Sequence, residues 1–173
     1  MRLSGNGAAI FKMYKNKLQP LDYVLGGSLA LILQNEMPVS RNVSDCDVAS
    51  MLDNVDIDFP LSTRSFRSGN RSESMMENTA EGTAHRTHDR LFDFINVDFF
   101  IVPNLKVKTI FVNGIATKVQ DSNQIWEAKE RYSRLLRKKG RVRNKHSFDL
   151  LRRHDWKVEG LLDNLESLND IKI

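Results

Sequence analysis

Ile10, Phe11, Tyr14 and Leu18 recur at spacings of one, three and four, the pattern of a helix with one apolar face over Ala8 to Leu18. Pro20 ends that pattern. Tyr23-Val24-Leu25 is a short β-prone run that stops at Gly26-Gly27, and Ser28 opens the apolar helical stretch Leu29 to Leu33, giving the order strand, glycine turn, helix. Pro38 closes this unit, and Val43 to Ser50 alternates polar with small or apolar residues as a short strand does. Phe92 to Val102, rich in Phe, Ile and Val and stopped by Pro103, is the strongest strand signal in the chain. Lys106 to Val112 and Ile115 to Val119 flank Asn113-Gly114, a pair that takes the backbone angles of a tight hairpin turn. The rest reads as helix: Ile125, Lys129, Tyr132 and Leu136 at helical spacing, then Phe148 to Arg152, then Leu161 to Leu168.

Between Pro60 and Arg90 the pattern fails, because Ser, Thr, Arg, Asn and Gly dominate and apolar residues are scattered. This predicts a long surface loop with one helical turn around Met75 and Met76, either a binding or lid segment or a disordered one. His85 and His88 in it read as loop residues rather than metal ligands.

The 173 residues, 40% of them hydrophobic, suit one domain with its own core. We expect a single unit over 1–173, with an α/β core at 1–120 and a basic helical part at 121–173. The net charge of +4 is unevenly placed. From Gln124 to Lys157 twelve Lys and Arg stand against four Asp and Glu, a net 12 − 4 = +8. Such a segment is either a solvated helical face or a surface that meets phosphates. The single cysteine, Cys46, permits no internal disulfide and no Cys-based metal site, which fits a reducing compartment. No stretch runs apolar for the ~18 residues that a membrane span needs, so we expect a soluble, cytoplasmic protein without a membrane partner.

Glycines between a strand and a helix let the backbone approach a ligand closely, and the helix amides after them can face a phosphate. Taken alone, Gly26-Gly27-Ser28 reads better as a plain turn with Ser28 as helix cap. Asp45-Cys46-Asp47 changes the reading, because alternate strand residues share a face and two adjacent carboxylates repel unless a cation lies between them. Hard oxygen ligands of this kind suit Mg²⁺ or Mn²⁺. Asp98 supplies a third carboxylate inside an otherwise apolar strand, where an unpaired charge is expensive.

In order and spacing, Leu25-Gly26-Gly27-Ser28-Leu29-Ala30-Leu31, Arg41, Ser44 and Asp45-Cys46-Asp47-Val48, then the strand at Phe94 to Ile101, resemble nucleotidyltransferases of the DNA polymerase β type. The resemblance is to their small bacterial and phage branch, which includes the AbiEii-like toxins of toxin–antitoxin systems. It extends to Ile125-Trp126-Glu127-Ala128-Lys129 and Lys145-His146-Ser147-Phe148-Asp149-Leu150, similar to the late helical pair of that family. It covers about three fifths of the chain. It implies an α+β minimal nucleotidyltransferase fold, with a short mixed β-sheet, flanking helices and a C-terminal helical segment. It also implies Mg²⁺ (or Mn²⁺) held by Asp45, Asp47 and Asp98, and an NTP such as ATP bound through Gly27, Ser28, Arg41, Lys129 and Lys145. Lys129 and Asp149 join the three acids in catalysis on this reading. Asp56-Ile57-Asp58 is a second Asp-x-Asp that competes for the metal role.

The expected reaction is transfer of a nucleoside monophosphate from the NTP to an acceptor hydroxyl, with RNA or tRNA favoured by the basic helices. The same acids would serve a protein or small-molecule nucleotidyltransferase, and a non-catalytic nucleotide- or RNA-binding relative of the fold is the second rival.

Overall fold

Burial of Ile10, Phe11 and Met13 fixes helix α1 (Gly5–Met13) against the core. One wider turn over Tyr14–Leu18 carries it on, and Gln19–Leu21 tightens around Pro20. The expected helix is therefore present but changes its winding at Tyr14. The buried Tyr14 hydroxyl lies 2.9 Å from the carbonyls of both Tyr23 and Lys118, to which it donates, tying the N-terminal segment to two strands. The computed structural model describes residues 3, 5–50, 77–79, 82–88, 90–102, 104–159 and 162.

Among these residues seven strands form one mixed sheet. They are β1 (Val24–Leu25), β2 (Asp45–Ser50), β3 (Glu77–Thr79), β4 (Gly82–His88), β5 (Asn96–Ile101), β6 (Val107–Val112) and β7 (Ile115–Gln120), in the spatial order β3-β4-β5-β2-β1-β7-β6. The pairs β2–β5 and β1–β7 are parallel and the others antiparallel. Helix α2 (Gly27–Leu33) follows β1 and is buried along Leu29 to Leu33. Alternation in β2 and β5 sends Cys46, Val48, Val97 and Phe99 into the core beside it.

Helix α3 (Ser122–Lys138) starts where the Asp121 carboxylate accepts from the Asn123 amide at 2.9 Å. The same device opens α4 (Lys145–Val158), where the Asn144 side chain accepts from the Ser147 amide at 2.9 Å. This helix is longer than the expected Phe148 to Arg152. The architecture is α+β, with a mixed sheet, flanking helices and a C-terminal helical pair. No helix among the described residues is long and apolar enough to cross a membrane.

Two expectations need correction. The segment from Pro60 to Arg90 is not all loop, since β3 and β4 lie in it and β4 pairs along its length with β5. Its strand character was hidden because β4 reads Gly-Thr-Ala-His-Arg-Thr-His, with Thr in place of larger apolar residues and charge where hydrophobic alternation would show. The turn expected at Met75 and Met76, the Asp56-Ile57-Asp58 motif and most of Leu161 to Leu168 lie outside the described residues. The strand expected from Phe92 begins only at Asn96. Asp93 and Phe94 take left-handed φ values of 55° and 57°, which break the extended path after a turn at Arg90–Phe92. The hairpin is as expected, with positive φ at both Asn113 and Gly114.

Candidate metal centre and phosphate site

The same alternation that buries Cys46 and Val48 turns Asp45 and Asp47 to the opposite face of β2. Parallel pairing with β5 sets Asp47 directly beside Asp98. One carboxylate oxygen from each of Asp45, Asp47 and Asp98 lies within 4.8 Å of the others. Three expected ligands, from two strands far apart in sequence, thus share one site. The Ser44 hydroxyl donates to Asp45 Oδ1 at 2.6 Å and fixes that carboxylate from the strand's start.

The glycine turn seats against this cluster. The Gly26 amide donates to the Asp47 carbonyl at 2.8 Å. Gly27 has φ +60°, and a Cβ added there would fall 1.9 Å from Asp47 Oδ2, so both the backbone angle and the space require glycine. Helix α2 is capped by Gly26 without a side-chain bond, so Ser28 is not the cap. Its hydroxyl instead accepts from Lys129 Nζ at 3.4 Å.

Lys129 lies on the buried face of α3 with Ile125 and Trp126, where a lone ammonium would be unstable. Asp149 of α4 meets it at 3.1 Å and is itself fully buried. Arg41 closes on the same carboxylate from the other side, its Nε 3.0 Å from Oδ1 and its Nη2 3.3 Å from Oδ2. Asp149 therefore holds two cations in place and is not one of the three clustered carboxylates. Lys145, at the start of α4, stays exposed with Nζ 3.8 Å from Asp45 Oδ2. All the expected site residues thus lie in one linked region, with the three clustered acids on strands, Lys129, Lys145 and Asp149 on helices, and Arg41 in the loop before β2.

One member was missed by the sequence reading. Arg86 of β4 stands opposite Asp98 in the antiparallel register. It donates from Nε to Asp98 Oδ1 at 2.6 Å and from Nη2 to Asp98 Oδ2 at 2.5 Å, and the same Nη2 lies 3.5 Å from Asp45 Oδ2. The bonds to Asp98 hold this guanidinium even more firmly protonated than usual. Nothing local in Gly82-Thr83-Ala84-His85-Arg86-Thr87-His88 singles it out, since the strand has no run of apolar or β-branched residues. His85 and His88 belong to β4 rather than to a loop, and His88 Nδ1 is 2.9 Å from Asn96 Oδ1.

Around the acids the electrostatics are one-sided. Burial pushes the Cys46 thiol well up, and the charges of Asp47, Asp98 and Asp45 add to the effect. On the helix side, burial and then the charges of Lys129 and Lys145 lower His146 from 6.5 to about 4, so its ring, stacked 5.3 Å from that of Tyr132, is neutral. Three crowded carboxylates with oxygen donors fit Mg²⁺ or Mn²⁺ well. No family model, curated protein or solved structure matches the chain.

Proposed function

We propose that the protein is a metal-dependent nucleotidyltransferase of the DNA polymerase β type, moving a nucleoside monophosphate from an NTP to an acceptor hydroxyl. The observation that carries this reading is the meeting of Asp45, Asp47 and Asp98 within 4.8 Å of one another against a glycine turn that leads into Ser28. A divalent cation bound there supplies charge neutralisation for the triphosphate and for the departing pyrophosphate. Ser28 and Lys129 hold phosphate oxygens, and Asp149 keeps the ammonium beside the Ser28 hydroxyl. Lys145 meets the same phosphates from the rim, and Arg41 backs the site through Asp149. In the reaction the acceptor oxygen bonds to the α-phosphorus, the bond to pyrophosphate breaks, and the acceptor's proton passes to a carboxylate of the cluster.

The acceptor we favour is RNA, tRNA included. Arg134, Arg137, Lys138, Lys139, Arg141 and Arg143 are all exposed along the end of α3 and the loop that leads to Lys145, a basic path towards the acids.

Incubation with each labelled NTP, Mg²⁺ or Mn²⁺, and either total RNA or small hydroxyl acceptors tests the proposal. Asp47→Asn is expected to lose about 10²–10³ of the rate, as removal of a major electrostatic group does. Its melting temperature without metal holds or rises, because one of three repelling charges is gone. Undiminished transfer by this variant overturns the assignment. Reversal of Arg137, Lys138 and Lys139 together is expected to weaken RNA labelling and flatten its salt dependence while small-acceptor turnover persists.

A further inference from the structure

Arg86 uses both oxygens of Asp98 and reaches Asp45, so the guanidinium takes up two of the three carboxylates assigned above to the metal. The Arg86 side chain is nonetheless 45% exposed, whereas the ammonium and carboxylate of the Lys129–Asp149 pair are sealed at 7% and 0%. Arg86 is held by the acids but not enclosed by the core.

We propose that Arg86 is an exchangeable phosphate contact, resting on Asp98 and Asp45 in the free protein and transferring to the triphosphate when those carboxylates turn to a divalent cation. The inference rests on the metal-site reading above and deepens it by assigning a residue that couples metal and nucleotide binding. Its physical basis is charge balance. Among the described residues, Arg86 and Lys145 are the cations that meet Asp45 and Asp98, at 2.5 to 3.8 Å. A guanidinium and a divalent cation repel each other across the same oxygens, so Arg86 must leave Asp98 for those oxygens to ligate metal. Its backbone stays anchored on β4 opposite Asp98, so the freed group remains beside the cleft and the triphosphate is the anion it meets. Metal alone then has to displace Arg86 without offering it a new partner, while metal with NTP offers one. The two ligands should each strengthen the binding of the other.

Titration of the full chain with Mn²⁺, with and without a non-hydrolysable NTP analogue, tests this in wild type, Arg86→Gln and Arg86→Lys. Mn²⁺ alone is expected to bind Arg86→Gln about tenfold more tightly than wild type, the scale of a single coupled interaction. The gain in Mn²⁺ affinity produced by the analogue should shrink by a similar factor, and Arg86→Lys should fall between the two. In a parallel melting series, Arg86→Gln should melt lower than wild type without metal and gain more from Mn²⁺. That readout does not depend on turnover. Equal or weaker Mn²⁺ binding by Arg86→Gln, or an undiminished gain from the analogue, overturns the role of Arg86. If wild type still transfers label and binds Mn²⁺ in that case, only this role falls. If wild type neither binds Mn²⁺ nor transfers label, the metal-site reading falls and takes the inference with it.

Discussion

The strand half and the helix half of the site solve the same electrostatic problem with opposite signs. On the strands, three carboxylates face one guanidinium at a half-open edge. On the helices, two cations converge on one carboxylate that is wholly buried. The difference lies in what each arrangement permits. An open pair can be exchanged for a ligand at modest cost, whereas a closed pair can only be broken at the expense of an uncompensated buried charge. On the exchange proposed above, the helix half stays as it is and the strand half rearranges.

The sharpest way to break this contrast is Asp149→Ala, which leaves Lys129 and Arg41 facing an emptied, fully buried position. Denaturant unfolding should register a loss of about 3–5 kcal/mol, the range for removing one partner of a buried pair. By comparison Arg86→Gln should cost less, about 1–2 kcal/mol, because the guanidinium is 45% exposed although its Asp98 partner is only 11% exposed. Similar losses in the two variants would mean that the halves do not differ as described.

Gly27→Ala probes the seam between the halves. Its methyl group would fall onto Asp47 Oδ2 in a backbone conformation with φ +60°. A stability loss of about 1–3 kcal/mol is expected for the strained backbone, with a much larger proportional loss of transfer because Asp47 must move. A crystal structure of the variant with Asp47 unmoved and transfer intact would separate the turn from the acids.

The helix half also predicts a pH dependence. His146 has its folded value depressed from 6.5 to about 4, so between these values the unfolded chain binds the proton and the folded protein does not. Its contribution is fully present above about pH 6.5 and is lost as pH falls towards about 4. Unfolding free energies measured across that window should fall less steeply with acid in His146→Gln than in wild type. Identical slopes would mean that neither burial nor the charges of Lys129 and Lys145 depress His146 in the folded protein.

What could be read from the sequence follows the same division. Gly26-Gly27-Ser28, Asp45 and Asp47 are local patterns, and Asp98 announces itself as a charge within an apolar strand, so the acid cluster was legible before any coordinates. In the helix half nothing local links Lys129 to Asp149 or Arg41 to Asp149, pairs 20 and 108 residues apart, so their convergence could not be read from the sequence pattern. Arg86 was not legible. A strand that spends its alternation on Thr and charge rather than on Val or Ile looks like loop until its neighbours are known. Asp93 and Phe94 mark another limit, since a Phe-rich stretch carries β-propensity even where two left-handed residues stop the strand.

The pairing of Asp45, Cys46 and Asp47 with Asn96, Val97 and Asp98 also protects the strands against slippage. A shift of β2 by one residue would turn both aspartates into the apolar interior and bring the Cys46 side chain out to the cleft. Each buried carboxylate would then incur a desolvation penalty of several kcal/mol with no partner there to offset it. The carboxylates assigned to the chemistry thus act as a ratchet on the alignment of the central strands, rejecting the misaligned alternative that a purely apolar β2 would tolerate.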